Sequence, residues 1–294
     1  MASEQFESVR ARLAANKAPF AGHLALRSFL EDVGGPLPDG VVAQPDSIGG
    51  VPAEWANPVS ATSQSVILYL HGGGYVAGSP WSHHNITGHL AKATGHIVLA
   101  LDYRLAPEHP HPAAVEDALA AYRWLLESGR GPQQLAVAGD SAGGGLAVAL
   151  LMAVRDSGLP QPAAAVAISP FADMTLSGET IDTLADLDVM VGRDVLQACA
   201  DLFVGAAGSA RDPLASPVFG RLESLAPLLI QVGDHEVLLA DSQRLAAGIA
   251  AAGGEVRLDV WPHMCHVWHD FAGSVPEADQ AIEAIASYLT EHLD

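Results

Sequence analysis

The sequence predicts an α/β protein, a parallel β-sheet covered by helices on both faces. Three observations carry that reading. Six short, mainly apolar runs recur between residues 65 and 261. Segments with apolar residues at helical spacing separate them. The 294-residue chain is 49% hydrophobic and only 16% charged, so it has enough apolar side chain to bury such a sheet from both sides.

In chain order, two helical stretches come first, SEQFESVRARLAAN and GHLALRSFLEDV, the second ended by Gly34, Gly35 and Pro36. After about residue 41 the pattern changes. The apolar runs are SVILYL (65–70), HIVLAL (96–101), LAVAG (135–139), AAVAIS (164–169), PLLIQV (227–232) and VRLDVW (256–261). Their length and continuity read as buried strands. Helices are expected near 80–94, 112–128, 141–157, 241–252 and 276–292. One interval breaks the alternation. Between AAVAIS and PLLIQV lie nearly 60 residues, about twice the usual βα spacing. The extra segment, roughly 174–215, carries helical spacing in VMVGRDVLQACADLFV. An insertion there reads as a cap over the carboxyl ends of the strands, where such sheets bind ligands.

Composition narrows the partners. Fourteen Lys and Arg against 34 Asp and Glu give a formal charge of −20, which repels nucleic acid and anionic membranes. Cys199 and Cys265 lie far apart and read as free thiols in a reducing compartment. The opening MASEQFESVRARLAANKAPF lacks the apolar centre of a signal peptide, and no apolar run reaches the roughly 18 residues of a membrane span. The expectation is a cytoplasmic protein with a small-molecule substrate.

Three motifs carry chemistry. VAGDSAGGG follows the strand LAVAG and opens a helix. Gly139-x-Ser141-x-Gly143 fits a nucleophile elbow, in which a serine sits on a strained strand-to-helix turn and its neighbours must be small. LHGGGYVAG (70–78) follows the strand SVILYL, and successive glycines let backbone N–H groups converge on a developing oxyanion. The same loop also matches G-x-G-x-x-A, with Asp102 ending the next strand as in a dinucleotide site. YVAGSP, however, intervenes before the helix, with Pro80 as its first residue, and a nucleotide site leaves the later serine and histidine unexplained. PHMCHVWHDF (262–271) follows the last strand and holds His263, His266 and His269. A general base for a serine hydrolase belongs in this loop, and the order Ser, acid, His is kept. Neither this cluster nor His83, His84 and His89 has a carboxylate at ligand-like spacing, so no metal is expected, and HHNITGH reads as a helix surface.

The stretches HGGGYVAGS, LDYRLAPEHPHPAAVEDA, GDSAGGGLA, DPLASP and MCHVWHDF together resemble the hormone-sensitive-lipase-like branch of the α/β-hydrolases, bacterial carboxylesterases with an HGGG motif. YRLAPE has no reason from strand or helix patterning and identifies the branch. The resemblance covers about 65–294. It implies Ser141 as nucleophile, His266 as base, and an oxyanion hole from the N–H groups of Gly73, Gly74 and Ala142. It implies an eight-stranded, mostly parallel sheet, an N-terminal cap segment over 1–45 ahead of a catalytic domain over 46–294, no cofactor, and a homodimer through the edge strand 256–261.

The acid must come from IQVGDHEVLLAD (230–241), which offers Asp234, Glu236 and Asp241. Asp241 stands just before a helical run and reads as its N-cap. Asp234 follows the Gly233 break and reads as a turn residue. The resemblance aligns Glu236 with the catalytic acid, with Glu for the more usual Asp and Val237 for Pro; Asp234 stays open as the alternative. The expected activity is hydrolysis of short- to medium-chain acyl esters through an acyl-enzyme on Ser141. Lactone hydrolysis is the nearest alternative, and a non-catalytic receptor or a nucleotide-binding protein the remote ones.

Overall fold

The computed structural model describes residues 2–16, 21–61 and 63–293. Two helices lead, α1 (Glu4–Asn16) and α2 (His23–Val33). The sheet and its coverings follow as β1 (Val41–Ile48), β2 (Val51–Pro58), β3 (Val66–Leu70), α3 (His84–Thr94), β4 (Ile97–Leu101), α4 (Ala113–Glu127), β5 (Leu135–Asp140), α5 (Ala142–Asp156) and β6 (Ala164–Ile168). Then come α6 (Thr180–Thr183), α7 (Arg193–Val204), β7 (Leu228–Gly233), α8 (Leu239–Ala251), β8 (Val256–Trp261) and α9 (Pro276–His292). Within the expected N-terminal segment, residues 1 and 17–20 lie outside the described residues, and the sheet itself begins at Val41.

The eight strands run in the order β1-β2-β4-β3-β5-β6-β7-β8. β2 is antiparallel to β1 and to β4, and the remaining neighbours are parallel. All six apolar runs of the sequence are strands of this sheet. The first hairpin was not legible in the pattern. β1 exposes every residue between its two ends and contains Pro45, and β2 contains Pro52 and Pro58, so neither forms a continuous apolar run.

Strand alternation divides the core into two layers. Val66, Leu68 and Leu70 face one side with Leu125, Leu146, Leu150 and Leu245 of α4, α5 and α8. Ile67 and Tyr69 face the other with Ile86, Leu90, Ile285 and Leu289 of α3 and α9. Each fully buried aliphatic side chain contributes about 1.5–3 kcal/mol. Register then sets the site. Leu70 pairs with Gly139, so the loop after β3 leaves the sheet beside the turn after β5. Gly233 pairs with Trp261, so the loops after β7 and β8 leave it side by side.

Candidate active site

Ser141 follows β5 and precedes α5 with φ 52° and ψ −118°, a backbone conformation that costs a non-glycine residue on the order of 1–3 kcal/mol. The surroundings hold it there. Its N–H donates to the Ile168 carbonyl at 2.8 Å, and its carbonyl accepts from the Phe171 N–H at 2.8 Å. A Cβ on Gly143 would collide with the carbonyl oxygens of Leu70 and His71, so the helix start lies directly against the HGGG loop only because residue 143 is glycine. From Ala142 to Val154 every residue of α5 is buried, which makes the turn part of the rigid centre.

His266, in the loop after β8, places Nε2 2.9 Å from Ser141 Oγ and Nδ1 2.8 Å from Glu236 Oε2. The other Glu236 oxygen, Oε1, accepts the Ser169 hydroxyl at 2.9 Å and the Gly233 N–H at 2.5 Å. The longer glutamate side chain is thus folded back over the end of β7, and this absorbs its extra methylene. Ser169 Oγ in turn accepts the Val267 N–H at 3.2 Å, tying the acid to the histidine loop. Burial raises the Glu236 carboxyl, and the bonds from His266 and Gly233 offset this only in part. Burial lowers His266, but the hydrogen bond and charge of Glu236, with Asp188 and Asp140 behind it, outweigh that and hold the imidazole above its ordinary value.

Among the described residues, none accepts a hydrogen bond from the amides of Gly73, Gly74 or Ala142. The loop that carries two of them is fixed from below. Tyr103 stacks on His71 with ring centroids 4.2 Å apart and donates its hydroxyl to the His71 carbonyl at 2.7 Å. The buried Asp140 carboxylate accepts the Gly72 N–H at 3.0 Å and the Tyr69 hydroxyl at 2.7 Å through Oδ1, with His83 Nε2 3.4 Å from Oδ2. Burial opposes a charge on His83, but Asp140 prevails and raises it to about 9. Burial likewise pushes Asp140 up, and His83 brings it below the ordinary carboxylate value.

YRLAPE gains a physical reason here. Tyr103 supports the HGGG loop. Arg104 pins α4 through Asp117 at 2.9 Å, and the Ala106 carbonyl and Glu108 both bind Arg27 of α2. The 174–215 segment braces the site from two sides. Phe203 of α7 stacks on Tyr75 at 3.7 Å, and a Cβ on Gly74 would meet Cys199 of the same helix. Asp188 accepts the Val237 N–H at 2.9 Å, next to Glu236, and the Thr180 hydroxyl bonds the Val237 carbonyl at 2.7 Å.

The other sequence candidates lie elsewhere. Asp241 is not an N-cap; Leu238 holds that position, and the Asp241 side chain, inside the first turn of α8, accepts the Ala172 N–H at 2.9 Å. Asp234 bonds the His263 N–H at 2.5 Å rather than His266. His269 is buried against Trp268 and pairs with Gln231 at 2.8 Å. His83 and His84 are buried rather than on a helix surface, His83 against Asp140 and His84 against Glu54 and the Gly35 carbonyl. Cys265 is buried, which raises its thiol and leaves it a packing residue. Pattern reasoning missed the Asp140–His83 support. The usable signal was Asp140 itself, a carboxylate closing the apolar strand LAVAGD, because a buried charge demands a partner.

Comparison with known proteins agrees with this fold. Residues 67–270 match the model of a family described as alpha/beta hydrolase fold. An acetyl-hydrolase from Streptomyces hygroscopicus is 47% identical over 243 residues, 83% of this chain and 81% of the relative. The crystal structure of an esterase from the bacterial hormone-sensitive lipase family superposes with a TM-score of 0.94 at 42% identity, covering 100% of both chains. The structure of EstE5 soaked with p-nitrophenyl butyrate superposes with a TM-score of 0.95 at 41% identity, covering 99% of each chain.

Proposed function

This chain belongs to the α/β-hydrolase fold family, in its hormone-sensitive-lipase-like branch, and is a carboxylic ester hydrolase; from that premise we propose that Ser141 is its nucleophile, His266 the general base and Glu236 the acid that orients the base. One observation carries the assignment: the continuous hydrogen-bonded relay from Ser141 Oγ through both nitrogens of His266 to Glu236, at 2.9 and 2.8 Å.

The chemistry follows from that relay. His266 Nε2 takes the hydroxyl proton as Ser141 Oγ attacks the ester carbonyl, and Glu236 stabilises the imidazolium that forms. The carbonyl oxygen becomes an oxyanion and is received by the N–H groups of Gly73, Gly74 and Ala142. The tetrahedral centre collapses, the alcohol leaves with the proton from Nε2, and the acyl group stays on Ser141. Water then gives a proton to His266 Nε2 as it attacks the acyl carbon; the second tetrahedral centre collapses, Nε2 returns that proton to Ser141 Oγ, and the acid leaves. No step calls for a cofactor.

The substrates are short- to medium-chain acyl esters, in keeping with an acetyl-hydrolase among the relatives and a p-nitrophenyl butyrate soak of a structural neighbour. Residues 174–215, with the N-terminal segment 1–45, act as the cap that bounds the acyl site. Support comes from Phe203 and Cys199 against the HGGG loop and from Arg27 against Val76 and Ala106. Two chains pair through β8, whose outer side has no strand partner among the described residues. No helix among the described residues is long and apolar enough to cross a membrane. A reducing compartment, the cytoplasm, suits two buried, unpaired cysteines. Turnover of p-nitrophenyl esters and lactones of graded length by the wild type and by Ser141→Ala tests the assignment. Loss of at least about a thousandfold in kcat is expected; near-full activity in Ser141→Ala ends it.

A further inference from the structure

The reaction leaves one cluster of side chains unused. Asp234 and His235 lie in the loop after β7, and His263 in the loop after β8. Each offers one ligand atom, and these atoms all lie within 4.8 Å of one another. We propose that Asp234, His235 and His263 form a site for one divalent transition cation of the zinc class, separate from the reacting atoms.

The donor set is the first argument. Two imidazoles and one carboxylate suit zinc and its neighbours, and a water completes a tetrahedral shell. Preorganisation is the second. The Asp234 N–H donates to the Trp261 carbonyl at 3.0 Å, the His235 N–H to the Met264 carbonyl at 3.2 Å, and the His263 N–H to Asp234 Oδ1 at 2.5 Å. The two loops are therefore laced together before any ion arrives. The two rings already stand 5.2 Å apart and 75° to each other.

The third argument concerns His235 itself. Its Nε2 stands 3.7 Å from Asp234 Oδ1, and its Nδ1 is buried with no hydrogen-bond partner among the described residues. No protein group competes for the ring as a ligand. The site also stays open to solvent, with the His235 and Asp234 side chains 19% and 39% exposed. A formal charge of −20 enriches cations at the surface.

A cation held there would bridge the loop that carries Glu236 to the loop that carries His266, without touching either side chain. It would act as a clamp on those loops and take no part in ester cleavage.

The test uses the full chain, stripped with a chelator. Titration with Co2+ is read in the visible spectrum, and Zn2+ by calorimetry and by melting temperature. We expect one equivalent with tetrahedral d–d bands, and a rise of about 5 °C in Tm at a hundredfold excess over Kd. Asp234→Asn with His263→Asn should abolish the bands and the Tm shift while metal-free ester hydrolysis persists. Asn keeps an oxygen for the His263 N–H, and it tolerates the φ of 67° at position 263. His235→Asn alone should give the same loss and serves as an independent variant. Absence of tetrahedral bands in the wild type overturns the proposal. So does equal binding by the double variant, which would put the ion on other histidines.

Discussion

Glu236 has two oxygens with different duties, and this makes it a sharp probe of the relay. Oε1 accepts two donors, the Ser169 hydroxyl and the Gly233 N–H, while Oε2 faces His266 Nδ1. In Glu236→Gln the amide oxygen must stay with the two donors. The NH2 group then points at Nδ1 and forces the imidazole into the tautomer with its proton on Nε2, where it cannot accept from Ser141. We predict a loss of about 10⁴ in kcat with little change in stability, measured by steady-state kinetics and thermal melts. The pH profile should agree. His266 works only when neutral, and Glu236 holds its pKa above the ordinary imidazole value of 6.5, so kcat/KM should fall with decreasing pH along a limb centred above that value. A limb well below it would contradict the coupling to Glu236. At this scale the elbow serine and the histidine loop were legible, because each stands in a motif with a mechanical reason for its neighbours. The choice among Asp234, Glu236 and Asp241 was not legible from pattern alone, since it depends on which carboxylate folds back over the end of β7.

Elements were legible in proportion to their burial. β3 to β7 are covered on both faces, so continuous apolar runs announced them. β1 is exposed between its ends and left no such mark. α7 showed its helical spacing because one side packs Leu196, Cys199, Ala200 and Phe203 into the molecule. β8 is the element with consequences for assembly. It closes the sheet at one edge, and Val260 is 42% exposed on it. An unpaired edge of this kind invites a second copy. The wild type should sediment as a dimer at micromolar concentration, and Val260→Lys as a monomer that retains a folded active site. A wild type that stays monomeric refutes pairing through β8.

For the whole molecule, the buried charges set how stability responds to pH. His83 is raised to about 9 by Asp140 against the cost of burial, from the ordinary imidazole value of 6.5. A raised histidine contributes stability that is complete below its unfolded pKa and is lost as pH rises through the folded one. Asp140, Asp270, Tyr69 and His71 are the titratable groups around it. Below neutrality the signs conflict. Asp241 and Asp270, raised by burial to about 7, gain stability as pH falls, whereas His71 and His269, lowered by burial to about 3, lose it. On the alkaline side the thiols of Cys199 and Cys265, raised by burial, also lose stability once pH enters the ordinary thiol range. Below that range Tm should decline by several degrees between about pH 7 and 8.5, and His83→Asn should flatten that decline; a flat wild-type profile argues against the raised His83.

The central claim is that one serine carries the acyl group. Reaction of the purified enzyme with a fluorophosphonate, followed by peptide mass spectrometry, tests it most directly. The account predicts one label per chain, on Ser141, appearing in step with loss of esterase activity and abolished in His266→Ala. Full inactivation with the label on another residue, or persistent activity with Ser141 fully labelled, would contradict it.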